Sequence, residues 1–137
     1  MDLRTRIQAS FDRQSMMVTF GAQLDAVARG SATLSAPILP RSRQQQGFAH
    51  AALTFGLGDS AAGYAALTMI PEAQEVVTAE IKINLIAPAK GDRRIARGRV
   101  IKPGRRLIVV TSEVASVSDG DETLVAILQG TMVPVPT

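Results

Sequence analysis

Gly56-Leu57-Gly58-Asp59-Ser60-Ala61-Ala62-Gly63, GLGDSAAG, lies inside an Ala- and Leu-rich run from about Phe48 to Met69. It admits three readings: a dinucleotide-binding glycine loop, a serine nucleophile turn, or a helix carrying one stranded carboxylate. The first needs Gly-x-Gly-x-x-Gly/Ala directly after a strand and opening the helix of a βαβ unit. Gly56, Gly58 and Ala61 fit the spacing, but the preceding AHAALTF is helical in composition and hairpins rather than crossovers follow. A nucleophile elbow needs Gly-x-Ser-x-Gly on a strand-to-helix turn. Gly58-Asp59-Ser60-Ala61-Ala62 lacks the closing glycine, and His50 is the only histidine that could serve as base. Ser60 is better read as a helical hydroxyl bonded one turn back.

The helix reading leaves Asp59 to be explained. At 100° per residue it shares a face with Ala52, Phe55, Gly56, Ala62, Gly63 and Ala66, and no Lys or Arg lies within a turn of it. Burying an unpaired carboxylate costs several kcal/mol, roughly, and desolvation raises its pKa. That is the state a general base or nucleophile needs near neutral pH. The plainer alternative is a solvent-facing residue, or an internal cap bonded to backbone N–H groups. His50 has its own plain alternative, a helix-start histidine bonded to the backbone. His50 and Asp59 lie nine residues apart, on opposite sides of an ideal helix. If both serve one site, they come from different chains of a dimer.

The rest of the chain fixes the setting. Its 137 residues, 46% apolar and 20% charged, are one domain's worth, 1–137. Without cysteine there is no disulfide, thiolate nucleophile or cysteine-bound metal, and one histidine argues against a histidine-built zinc site. No signal peptide and no apolar stretch of about 18 residues is found, so a cytoplasmic protein without a membrane span is expected. Residues 2–14 predict a short amphipathic helix capped by Asp2, with Leu3, Ile7 and Phe11 on one face. Residues 16–28 and 31–39 read as strands, 48–69 as the long helix, and 76–87, 93–102, 105–117 and 122–134 as further strands. One apolar helix among antiparallel hairpins predicts an α+β fold with the sheet wrapped around the helix. Because that helix is apolar all round, a second subunit is expected to cover the face the sheet leaves open.

Basic residues are absent between Arg43 and Lys82 and concentrated from Lys90 to Arg106, and the formal charge is +3. Such a segment suits an anionic ligand or a solvated sheet edge equally well. Nucleic acid is disfavoured, because four Phe, one Tyr and no Trp leave little for base stacking.

Gln44-Gln45-Gln46-Gly47-Phe48-Ala49-His50-Ala51-Ala52 followed by Asp59 resembles the Asn-x-x-Gly-x-x-His-Gly-Gly, six residues, Asp pattern of hot-dog-fold acyl-CoA thioesterases. The likeness is to the phenylacetate-degradation (PaaI-like) group of the 4-hydroxybenzoyl-CoA thioesterase superfamily. It spans nearly the whole chain, supported by Val77 to Leu85 with Pro88 and Gly91, by Lys102-Pro103-Gly104-Arg105, and by Leu124-Val125-Ala126 leading to Gly130-Thr131. The resemblance implies a hot-dog fold: a six-stranded antiparallel sheet around the helix, dimerised edge to edge, often with two dimers forming a homotetramer. It implies hydrolysis of an acyl-CoA to free acid and CoA with no metal or redox cofactor, coenzyme A entering only as part of the substrate. Asp59 would activate water or attack the carbonyl, the Ala51 N–H would hold the oxyanion, and Thr78 would place the water. Gln44 would orient substrate beside His50. Gln44, His50 and Ala51 would come from one subunit, Asp59 and Thr78 from the other. Gln44 replaces Asn, and Ala51-Ala52 replaces Gly-Gly, changes that bear on substrate range more than on fold. Lys90, Arg97, Lys102, Arg105 and Arg106 are candidates for the phosphates of coenzyme A. The competing functions are a non-catalytic acyl-CoA-binding hot-dog domain and a hot-dog dehydratase or hydratase using His50 with a carboxylate.

Overall fold

A computed structural model describes residues 1–88 and 90–137. The chain runs α1 (Leu3–Arg13), α2 (Ser15–Phe20), β1 (Gln23–Ala28), β2 (Ser31–Pro37), a 3-10 turn (Pro40–Ser42) and α3 (Ala51–Leu67). It then continues through β3 (Gln74–Leu85), β4 (Arg93–Pro103), β5 (Ile108–Ser118) and β6 (Asp121–Pro136). The strands form one antiparallel sheet in the order β1-β2-β4-β5-β6-β3. Because α3 touches β2, β3, β4, β5 and β6, the sheet curls around it, which is the expected arrangement. Leu34, Leu57, Val114 and Leu128 fill the interface between them and are fully buried.

Local chemistry sets the boundaries. Asp2 accepts the Thr5 N–H at 2.8 Å and starts α1, as its sequence predicts. The β5–β6 hairpin turns on Asp119 and Gly120, with φ of 52° and 82°, the left-handed pair that a two-residue type I′ turn requires. Gly98 on β4 lets the sheet meet α3 backbone to backbone: a Cβ there would fall 2.5 Å from Ala62 N and closer still to the Ala61 carbonyl.

Two expectations need correction. Residues 16–20, read as part of a strand over 16–28, belong to helix α2, and β1 begins only at Gln23. Its sequence, SMMVTF, has strand-like composition, but Gly21 in the left-handed region (φ 69°) closes it as a helix and its N–H bonds the Val18 carbonyl. The open face of α3 is covered in part by α1 and α2 of the same chain, so less of it is left for a second subunit than expected; Phe55, Asp59 and Gly63 stay half-buried. Phe11 packs on Tyr64 with ring centroids 6.2 Å apart. Gln14 donates to the Tyr64 hydroxyl at 2.9 Å and accepts from Ser60 at 3.3 Å. The Phe20 ring occupies the notch at Gly56. Arg6 then ties α1 to the end of α3, donating to the carbonyls of Leu67, Ile70, Pro71 and Gln74 at 2.8 to 3.2 Å.

What the fold leaves open is β3. It is an edge strand of 12 residues, with Val77 and Leu85 about half exposed at 49% and 57%. Ile81 and Ile83 pack against the core, whereas Leu85, two residues further along the strand, lies outside it. A long strand edge left unpaired on one side is competent to pair with another strand.

Candidate active site

The carboxylate in GLGDSAAG is held where β3 meets α3. Thr78 Oγ1 donates to Asp59 Oδ1 at 2.8 Å, and among the described residues Oδ2 accepts no hydrogen bond. One residue beyond Thr78, Ala79 is skipped in the β3–β6 register, a bulge that sets where the Thr78 side chain points. Asp59 lines a cavity of about 180 Å³ with Ser60, Gly63, Tyr64, Thr78 and Met132. Burial there raises its pKa above 3.8, and the Thr78 hydroxyl opposes that rise less strongly. Asp59 is therefore neither fully solvated nor locked in amide donors: it keeps a free oxygen, an elevated basicity and a cavity to act in.

Gln44, His50 and Ala51 line a different cavity, of about 530 Å³, with Phe48, Ile86 and Arg94 among its walls. No residue is shared between the two spaces. Along α3, Ala51 and Asp59 are separated by roughly 12 Å of helical rise. Within one chain the structure therefore unites Asp59 with Thr78 and Gln44 with His50 and Ala51, and keeps the two groups apart.

His50 is the N-cap of α3. Its Nδ1 accepts the Ala52 N–H at 2.9 Å, the backbone-bonded arrangement weighed as its plainer alternative. The Ala51 N–H has no acceptor among the described residues and stands exposed at the helix N-terminus, a fixed dipole suited to a developing anion. Gln44 is committed to its own loop: Oε1 accepts from the Phe48 N–H at 3.2 Å, and Nε2 donates to Gln46 Oε1 at 3.0 Å.

A family model of the thioesterase superfamily matches residues 46–123, from the Gln44 loop through all of α3 to the start of β6. The chain belongs to the thioesterase superfamily. It is similar to a thioesterase family protein from Silicibacter pomeroyi, at 36% identity over 99% of this chain and 100% of that one, with a TM-score of 0.96. SSO1253 of Saccharolobus solfataricus, which carries the name of an esterase, is 32% identical over 82% of this chain and 73% of its own length. The PaaI protein of the E. coli phenylacetic acid degradation operon shares the fold at a TM-score of 0.85, with 19% identity over 97% of this chain and 93% of its own.

In this thioesterase superfamily member the five basic residues expected to meet phosphate separate into three groups. Arg97 is engaged, donating from Nη1 and Nη2 to both carboxylate oxygens of Glu122 at 2.8 and 2.9 Å. Lys102, Arg105 and Arg106 are exposed where β4 turns into β5. Pairing runs Thr78–Met132–Ile108–Pro103 across the sheet, so that turn is at the Asp59 end. Lys90 is exposed at the other end, beside the Gln46–Ala49 loop. Among the described residues no three His, Asp or Glu side chains gather to hold a metal ion, and no helix is long and apolar enough to cross a membrane.

The arrangement supplies a base with a free lone pair at one end of β3 and a free backbone donor at the other. Arg6 and Arg94 are structurally prominent residues that sequence reasoning passed over. Nothing local marks either, because their partners lie 22 to 68 residues away in sequence.

Proposed function

We propose that the protein hydrolyses acyl-CoA thioesters at sites shared between two chains. The observation that carries this reading is Asp59: half-buried, with no cation paired to it, one oxygen fixed by Thr78 and the other free. In the reaction, Asp59 Oδ2 takes a proton from water as the water oxygen bonds the thioester carbon. The Ala51 N–H of the partner chain stabilises the oxyanion. The C–S bond then breaks, and the CoA thiolate leaves and takes the proton from Asp59, which restores the carboxylate.

Edge pairing supports the sharing. β3 runs from the Asp59 cavity, lined by Val76 and Thr78, to the Ala51 cavity, lined by Leu85. These ends are separated by roughly 24 Å of strand. Antiparallel pairing of two β3 edges about a twofold axis places the Thr78 end of each beside the Leu85 end of the other. Asp59 and Thr78 of one chain then face Gln44, His50 and Ala51 of the next, and two such dimers can form a tetramer. Lys102, Arg105 and Arg106, with Lys90, are exposed cations that we assign to the phosphates of coenzyme A. The chemistry needs no metal or redox cofactor, since a carboxylate and fixed dipoles suffice.

The test is thiol release from short, medium and aromatic acyl-CoAs by the wild type and by Asp59→Asn. We expect turnover by the wild type and a loss of about 10²- to 10⁴-fold in the variant, whose fold is kept. Equal rates would remove Asp59 from the chemistry. Binding without turnover across the whole panel would favour an acyl-CoA-binding domain instead.

A further inference from the structure

Among the described residues Arg94 is the only charged side chain in the buried interior, 3% exposed. It rises from β4 toward the first turn of α3, where its Nε donates to Thr54 Oγ1 at 3.4 Å and its Nη1 to Ser116 Oγ at 2.6 Å. Ser116 donates its own proton to the Lys90 carbonyl at 3.1 Å, so its oxygen is turned to receive the arginine. These hydroxyls fix the guanidinium without neutralising it. None of the three ion pairs among the described residues involves Arg94, and Nη2 has no acceptor among them. Burial lowers its pKa from the usual arginine value with no anion pushing back, yet a guanidinium stays charged. A buried charge without a counter-charge is costly to keep unless something else supplies the anion.

That anion has a place to sit. Arg94 lines the same 530 Å³ cavity as Ala51, whose other walls include the apolar Phe48, Ile86, Pro88 and Val125. We infer that Arg94 is a specificity residue for a second carboxylate at the far end of the acyl group, so that the preferred substrates are CoA half-thioesters of dicarboxylic acids. The inference rests on the hydrolase reading above and names its substrate class. The apolar walls receive the methylenes, and the planar guanidinium matches a carboxylate. Spacing sets the length. Thr54, which holds the guanidinium, lies one turn beyond Ala51, roughly 4.5 Å along the helix axis. That short offset makes diacids of about four to six carbons the chain lengths to test.

The experiment compares matched pairs that differ only in the terminal group: succinyl- against butyryl-CoA, and glutaryl- against pentanoyl-CoA. It uses the wild type, Arg94→Leu and Arg94→Lys. In the wild type kcat/KM should favour each diacid partner by about tenfold or more, the effect of a charge-assisted hydrogen bond. Arg94→Leu should bring that ratio to one or below, and Arg94→Lys should retain part of it. Leucine removes the buried charge; Ser116 keeps its bond to the Lys90 carbonyl, while Thr54 Oγ1 loses its arginine donor, so the fold of the variant is checked first. If that variant does not fold, the wild-type ratio decides: a ratio at or below one overturns the inference.

A second readout needs no turnover: thermal stabilisation by free glutarate, pentanoate or CoA alone. Glutarate should stabilise the wild type and not Arg94→Leu. That result without thiol release from any acyl-CoA would uphold the diacid site and overturn the hydrolase reading. Turnover of neutral acyl-CoAs at least as fast as of their diacid partners would uphold the hydrolase and overturn the diacid site. Arg94-dependent stabilisation by CoA alone would also overturn it, by marking a phosphate site. Neither turnover nor a glutarate shift would overturn both.

Discussion

Ala51→Pro deletes one backbone N–H, and the local geometry makes the deletion unusually clean. Ala51 is the first residue of α3, the position at which proline is best tolerated. Its N–H donates to nothing among the described residues, so no hydrogen bond is lost on folding. The residue before a proline is driven to extended backbone, and His50 is already there at φ −65° and ψ 144°. The side chain at 51 is exposed, which leaves room for the ring, and the His50 cap bonds the next N–H along, that of Ala52. Stability should therefore hold or rise by about 0.4–1 kcal/mol through the stiffened unfolded chain. Activity should not hold. If this N–H meets the oxyanion, its loss lowers kcat by about 10²- to 10³-fold. KM should move little, because the interaction strengthens only in the transition state. Denaturant unfolding gives the first quantity and steady-state thiol release the second. A folded Ala51→Pro enzyme with kcat within threefold of wild type would refute the assignment. The same variant also tests sharing. Mixed with Asp59→Asn at equal concentration and allowed to exchange, half of the dimers carry one defect on each chain. In those, one of the two sites is intact, so about a quarter of the wild-type rate should return for a twofold shared site. A mixture no more active than its parents would place the whole site within one chain.

Two glycine-to-alanine changes should move stability in opposite directions. At Gly98 the new methyl meets α3 backbone 2.5 Å away or closer, against an ordinary contact of 3.4 Å or more. Gly98→Ala should cost about 3 kcal/mol, the upper end of overpacking, and lower Tm by about 10 °C. At Gly63 only Met132 Cε lies within reach, at 3.9 Å. Gly63→Ala should add up to about 1 kcal/mol from helix propensity, and should slow turnover by crowding the Asp59 cavity. Equal shifts by calorimetry would contradict the packing argument. Asp59 also predicts a pH dependence. Its folded pKa is raised above its unfolded value, so the protonated form favours the fold, and that contribution is lost as pH rises from below 3.8 through the raised value. Asp59→Asn should flatten this slope and be the more stable protein at pH 7. The acid limb of the wild-type rate profile should lie above the ordinary aspartate range; a limb at or below 3.8 would show that Asp59 is not the titrating base.

The legible parts of the chain are those whose cause is local. Ile7 and Phe11 recur at helical spacing, Asp2 and His50 are capping residues, and Asp119-Gly120 can hardly be anything but a tight hairpin turn. Asp59 was legible because its oddity is local too, an acid with no cation within a turn. Helix α2 was misread for the complementary reason. Met-Met-Val-Thr-Phe has strand-like composition, and what makes it helical is the seat of Met17 in the core and of Phe20 against Gly56, both tertiary facts.

Apolarity on all sides of α3 correctly required a second covering layer, but composition cannot say whose. Gln14, Phe11 and Phe20 supply part of it from the same chain, and that moves the argument for a dimer from the helix to the sheet. The stronger case for a partner is the β3 edge, a strand of 12 residues paired on one side only, with β6, and carrying half-exposed Val77 and Leu85. Those two positions also mark the Asp59 and Ala51 ends of the strand. In the shared-site proposal, the open strand edge and the two half-sites lie along one line, so a single twofold contact would cover the one and join the others.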